Sequence, residues 1–177
     1  MAVMDPGAPV LVGVGEASGK SLGLDWPSTV DLASAAVKSA LADSGAADKL
    51  AASIDCLLSI RLFHDSGLPH DFGSPENHPE AVATASGLDP ATLLYGDVGG
   101  QSPQKHLNQL ARQVHAGEYK AVVLSSAENM GTVKRARRSD QALDWSQTAT
   151  RDMTDLRTDD DKMLTAYEWR QGIISMP

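Results

Sequence analysis

The sequence predicts an α/β fold. Apolar runs of strand length, at 8–16, 53–63, 91–98 and 119–129, alternate with segments of helical period. Glycine, proline and aspartate cluster at the joints. Such alternation implies helices packed on a sheet with a parallel component.

The first run, "APVLVGVGE", is short, apolar and ends in glycines, so it reads as a buried strand. "ASGKSLGLDWPS" reads as a loop. The next segment offers Ser28 or Thr29 as an N-cap, Asp31 in the first turn and Gly45 just past the end. Val30, Ala33, Val37 and Leu41 fall at helical spacing, giving a small-residue face suited to close packing on a sheet. "SIDCLLSIRLF" is the second predicted strand. "HDSGLPHDFGSPENHP" reads as a long solvated loop, and 79–88 as a short helix with Pro79 near its start. "ATLLYGDV" is a third strand. After it come the glycines of a turn, then Ser102 as N-cap and Pro103 as first helical residue. Leu107, Leu110, Ala111 and Val114 repeat at i, i+3, i+4 and i+7, and Gly117 stops this helix. "YKAVVLSSAEN" is the fourth strand. Beyond Met130 the chain is strongly charged and without clear period.

Composition narrows the function. The chain has 177 residues, 42% of them apolar, enough for one domain with a core. Its net charge of -8 argues against a nucleic-acid partner. No apolar run reaches 18 residues, and the N-terminus lacks a charged leader, so no membrane association and a cytoplasmic setting are expected. The single cysteine, Cys56, excludes an internal disulfide and suits a reducing compartment. In its strand it reads as a buried structural thiol.

Several tempting motifs fail on spacing. "GVGEASGKS" has three residues between Gly15 and the Gly-Lys-Ser, and five from Gly13, where a phosphate loop needs four. His64, His70 and His78 share a loop with Asp65, Asp71 and Glu76, but their spacings match no common zinc pattern, so no metal is expected. His106 and His115 read as surface residues. "KRARR" could grip a phosphate through Arg137 or Arg138, but the acidic run "DLRTDDD" balances it. Gly99, Gly100, Gln101 and Ser102 are different. They join a strand to a helix N-terminus, where N–H groups and the dipole favour an oxyanion or carbonyl. Paired glycines also permit close approach of a ligand.

The whole pattern resembles the N-terminal half of a thiolase-superfamily protein. "PVLVGVGE" resembles its first strand, and "STVDLASAAVKSALADSGAADKLAASID" its first helix and the approach to the second strand. "HLNQLARQVHAGEYKAVVLSSAENM" resembles its next helix, Ala-Gly-Glu turn and strand. The turn Gly99, Gly100, Gln101, Ser102, Pro103, Gln104 is similar to the "GG-x-SPQ" turn of acetyl-CoA acetyltransferase-like, or thiolase-like, proteins.

The resemblance implies a thiolase-type half-domain at 1–132, a mixed, mostly parallel sheet flanked by helices. Residues 133–177 then form a charged loop-region segment, an incomplete part of a longer fold. It implies an acyltransferase, or a protein acting on or binding acyl-CoA thioesters, with the thioester as ligand and no other cofactor. Counted back from Gly117, the nucleophilic cysteine of thiolases falls at Gly100, so no catalytic residue is assigned and covalent acyl transfer there is not expected. Gly99, Gly100, Gln101 and Ser102 remain the candidate substrate-binding residues. The thiolase glycine pair after the fourth strand is Ser125 and Ser126 here. The thiolase histidine and second cysteine come from a C-terminal half that these residues lack. A homodimer or larger assembly, or a second subunit, is expected to cover the exposed half. The alternative is a non-catalytic acyl-CoA-binding or scaffolding subunit.

Overall fold

The computed structural model describes residues 5, 7–67, 69–157, 167 and 170–172. In chain order the elements are α1 (Gly19–Leu22), α2 (Thr29–Asp43), α3 (Ala47–Ala51), β1 (Ile54–Ser59), α4 (His78–Ser86), β2 (Thr92–Tyr95), α5 (Ser102–His115), β3 (Ala121–Ser125), α6 (Met130–Arg138) and β4 (Thr154–Asp155). The four strands form one sheet in the order β3-β1-β2-β4, and every pair is parallel. Among the described residues no helix is long and apolar enough to cross a membrane.

β1 is central, which explains its composition. A strand covered on both faces reads as a continuous apolar run rather than an alternating one. Leu57 points into a cluster with Ala33, Val37 and Leu41 of α2 and Val82 and Ala83 of α4. Cys56, Leu58 and Ile60 point the other way, against Leu94 of β2 and Leu110 of α5. Ile54 joins the Leu57 side because the register with β3 shifts between Ile54 and Cys56. The result is three layers: α2 and α4, the sheet, then α5.

Capping sets the helix starts. Ser28 Oγ accepts the Asp31 N–H at 3.0 Å, and Asp31 Oδ2 accepts the Ser28 N–H at 2.8 Å, a reciprocal box. Asn77 Oδ1 accepts the Glu80 N–H at 3.0 Å at the start of α4. Glu80 in turn accepts from the Thr150 N–H and hydroxyl, which fastens the segment around Thr150 to α4. From Met130 to Arg157 the charged stretch is therefore structured. Its first part is the helix α6, and Thr154 and Asp155 extend the sheet beside β2. Most of 158–177 lies outside the described residues.

Three expectations need correction. Residues 8–16 are not a strand of the sheet. Val10, Leu11, Val12 and Val14 are exposed, from 52 to 74%. This segment lies along α2 instead. The Val14 N–H donates to Asp43 Oδ2 at 2.9 Å, and the backbone at Gly13 and Gly15 abuts the carbonyls of Ala40 and Ala36. No Cβ fits at either glycine, so they set the close approach and the branched side chains turn outward. The 17–28 stretch is not wholly a loop, since Ser18 caps the single turn α1. The 64–79 loop is not simply solvated either: Phe72 and His78 are buried.

Candidate functional site

The turn after β2 begins at Gly99, whose φ of +116° is open to glycine and strained for other residues. Gln101 is the N-cap of α5, because its carbonyl already accepts the Lys105 N–H at 3.1 Å. Ser102 is thus the first helical residue and not the cap predicted from the sequence. Its hydroxyl is fully buried and donates back to the Val98 carbonyl at 3.0 Å. Gly100 and Gln101 are exposed. A Cβ at Gly100 would meet nothing within 4 Å. The four candidate residues therefore form one continuous turn whose outer rim, not its hydroxyl, faces solvent.

A buried polar group beneath the turn holds it in place. His106, 1% exposed, accepts the Asp97 N–H on Nε2 at 3.1 Å, which leaves its proton on Nδ1, 3.3 Å from Gln109 Oε1. Because Nε2 is an acceptor, its 3.5 Å approach to Asp97 Oδ2 is not an ion pair. The Asp97 carboxylate pairs with Lys105 instead. His106 is therefore no surface residue: its ring fills the space that a side chain at Gly96 would need. Both of its nitrogens are engaged, so it does not serve Ser102 as a base.

Cys56 is completely buried, and burial pushes its thiol up to about 11. A thiol held neutral in a core is neither nucleophile nor metal ligand.

Where the chain leaves β1, a second polar group forms. The Arg61 guanidinium lies over the Tyr95 ring at 4.3 Å and pairs with Asp155. Tyr95 donates to Asp65 and accepts the Leu62 N–H at 3.2 Å. Burial and the Asp65 hydrogen bond raise the phenol well above its usual range. Burial also works to raise Asp65, but bonds from His64 and Tyr95 outweigh it and hold that carboxyl low. His78 stacks on Tyr95 with ring centroids 6.1 Å apart. Among the described residues no group of three or more His, Cys, Asp or Glu could hold a metal.

Burial lowers His78 to about 4. Its unfolded value is near 6.5, so this group contributes stability that is fully present above that pH. The contribution is lost as pH falls toward 4, because the unfolded chain takes up a proton that the folded one refuses. Urea unfolding at stepped pH is expected to show this fall, and His78→Gln to flatten it. An unchanged slope in the variant would assign the acid sensitivity elsewhere.

The sequence pointed to Gly99, Gly100, Gln101 and Ser102 and missed the residues that support them. Asp97 carried a legible signal, as the lone charge near the carboxyl end of an apolar run, whereas Arg61 shares its run with Asp55 and signalled less. His106 carried none, since a histidine on an amphipathic helix reads as a surface residue until its neighbours are known.

No protein-family model matches the sequence, and no curated protein matches it. Among solved structures the chain is similar to a monomeric SCP2-thiolase like protein type 1 from Mycobacterium smegmatis. The TM-score is 0.57 and the identity 36%, over 71% of this chain and 24% of that one. The chain thus spans about a quarter of the length of the structure it matches. With its four-stranded parallel sheet between helices, the chain has the α/β fold of a thiolase-like half-domain.

Proposed function

We propose that this chain is a thiolase-like module that binds acyl-CoA thioesters reversibly at Gly99, Gly100, Gln101 and Ser102, without forming an acyl-enzyme there. The observation that carries this reading is an open helix N-terminus with no nucleophile. Gly100 occupies the position that the thiolase resemblance gives to the cysteine, the Ser102 hydroxyl is buried against the Val98 carbonyl, and Cys56 is inside the core. In the first turn of α5 the Ser102 N–H donates to the Gly99 carbonyl at 3.1 Å and Pro103 has none, so it is the Gln104 N–H, with the positive end of the helix dipole, that suits a thioester carbonyl oxygen. Any catalysis would rest on that electrostatic contact together with residues outside this chain. Of the two versions of the reading, acting on the thioester or only binding it, the missing nucleophile favours binding. Association with a second copy or a partner subunit belongs to the same proposal, and the exposed Val10, Leu11, Val12 and Val14 offer apolar surface for it. So does a cytoplasmic setting, in which Cys56 stays reduced.

Intact-protein mass spectrometry after incubation with acetyl-CoA or acetoacetyl-CoA is expected to show no adduct, and calorimetry to show reversible binding. Gly100→Leu has room to fold and is expected to weaken that binding about tenfold by occupying the approach to the turn. An adduct mapped to 99–104 would refute the non-covalent reading. Unchanged affinity in the folded variant would remove the turn from the site.

A further inference from the structure

A cavity of about 140 Å³ lies between the chain leaving β1 and the chain leaving β3. Open α/β sheets take ligands at this carboxyl edge. None of Gly99 to Ser102 lines it. Phe63, Pro69, Met130 and Val133 give it apolar walls, while His64, His70 and Glu128 are among its polar ones. Its volume suits a single ring, since an engineered apolar cavity of about 150 Å³ accepts benzene.

The walls are pre-set by packing. The His70 ring stands 4.8 Å from His64 and edge-on to Trp145 at 5.6 Å. Trp145 in turn packs against Phe72 at 5.5 Å, and its backbone N–H donates to the Phe72 carbonyl at 2.7 Å. Arg137 of α6 donates to the Pro69 carbonyl at 3.3 Å. Beneath them Phe72, Val133 and Ala136 form a buried cluster. The stretch from Pro69 to Phe72 is thereby fastened to α6, and a ligand would not have to order it itself.

The polar groups state what would fit. Glu128 Oε1 accepts the Phe63 N–H at 2.7 Å, and its Oε2 has no hydrogen bond among the described residues. His70 Nδ1 accepts the Phe72 N–H at 3.3 Å, which leaves a donor at Nε2. Burial lowers the His70 pKa and favours this neutral form. A free acceptor and a ring N–H donor together match a group that both donates and accepts. Arg137 disfavours a cation at the cavity, and Glu128 disfavours an anion.

We propose that this cavity is a ligand site for a neutral hydroxyl compound of ring size, a small aromatic or branched alkyl alcohol, with its hydroxyl donating to Glu128. Benzyl alcohol, toluene and benzylamine are the probes, titrated against the full chain and followed by protein NMR. Benzyl alcohol is expected to shift the signals of Phe63, His70 and Val133. Toluene, equal in shape but without the hydroxyl, is expected to bind about tenfold more weakly, as is benzyl alcohol to Glu128→Ala. Met130 is 48% exposed, so Met130→Trp can fold, and it is expected to abolish the shifts by filling the cavity. Gly100→Leu is expected to leave them unchanged, which separates this site from the turn. No shifts at the solubility limit of benzyl alcohol would overturn the proposal. So would equal binding of toluene, stronger binding of benzylamine, or shifts that survive Met130→Trp.

Discussion

Gly100→Cys is expected to be alkylated by iodoacetamide at neutral pH more than about a hundredfold faster than Cys56 in the same molecule. The reacting species is the thiolate. An ordinary thiol with pKa about 8.5 is a few per cent ionised at neutral pH, and a helix N-terminus lowers that pKa further. Cys56, pushed up to about 11, is ionised about one part in ten thousand and is sealed in the sheet as well. The new side chain at position 100 would stand in open space on the exposed rim of the turn, so the substitution leaves packing intact. Peptide mapping of timed, quenched samples gives both rates from one reaction. Comparable rates would mean either that the rim of the turn is covered or that the sheet opens around Cys56. The wild-type chain separates these cases, because an opening sheet would label its lone cysteine at the same speed.

Gly96→Ala is expected to destabilise the domain by about 2–4 kcal/mol. The conformation at Gly96 is not the cause, since its φ is not positive. The cause is the ring behind it. A Cβ there would lie 2.7 Å from His106 Nε2 and 2.9 Å from its Cδ2. His106 is fully buried and has nowhere to retreat, so the ring must shift, and with it goes the bond from the Asp97 N–H. That leaves a buried donor unpaired next to an overpacked strand end. Denaturant unfolding of four proteins tests the mechanism: wild type, each single variant, and Gly96→Ala with His106→Ala. In the His106→Ala background the extra cost of Gly96→Ala is expected to drop below about 1 kcal/mol, because the clashing ring is gone. Equal cost in both backgrounds would place the origin in the strand itself. The effect reaches the candidate site, since the Gly99 turn starts three residues further on and His106 holds the Asp97 N–H.

Local pattern was enough for most of the fold. The helix over Ser102–His115 could be read because its apolar period and its glycine stop are both local. The same holds for α2, with Ser28 and Asp31 at one end and Gly45 just past the other. The core strand β1 was legible because both faces are covered, which forces an uninterrupted apolar run. That logic failed at 8–16. An apolar run reports only an avoidance of polar residues, and Gly13 and Gly15 let that stretch lie along α2 instead of entering the sheet. For the candidate site, the sequence alone determined which residues make up the turn, that Gly100 brings no nucleophile to it, and that a helix begins beside it. The tertiary structure decided the rest: that Gln101 and not Ser102 is the cap, that His106 is buried and engaged at both nitrogens, and that Glu128 and His70 line one cavity. His70 follows β1 and Glu128 follows β3, with two helices and two strands between them along the chain, so no local code links the pair. They meet because parallel pairing of β1 with β3 brings the carboxyl ends of both strands to the same edge of the sheet.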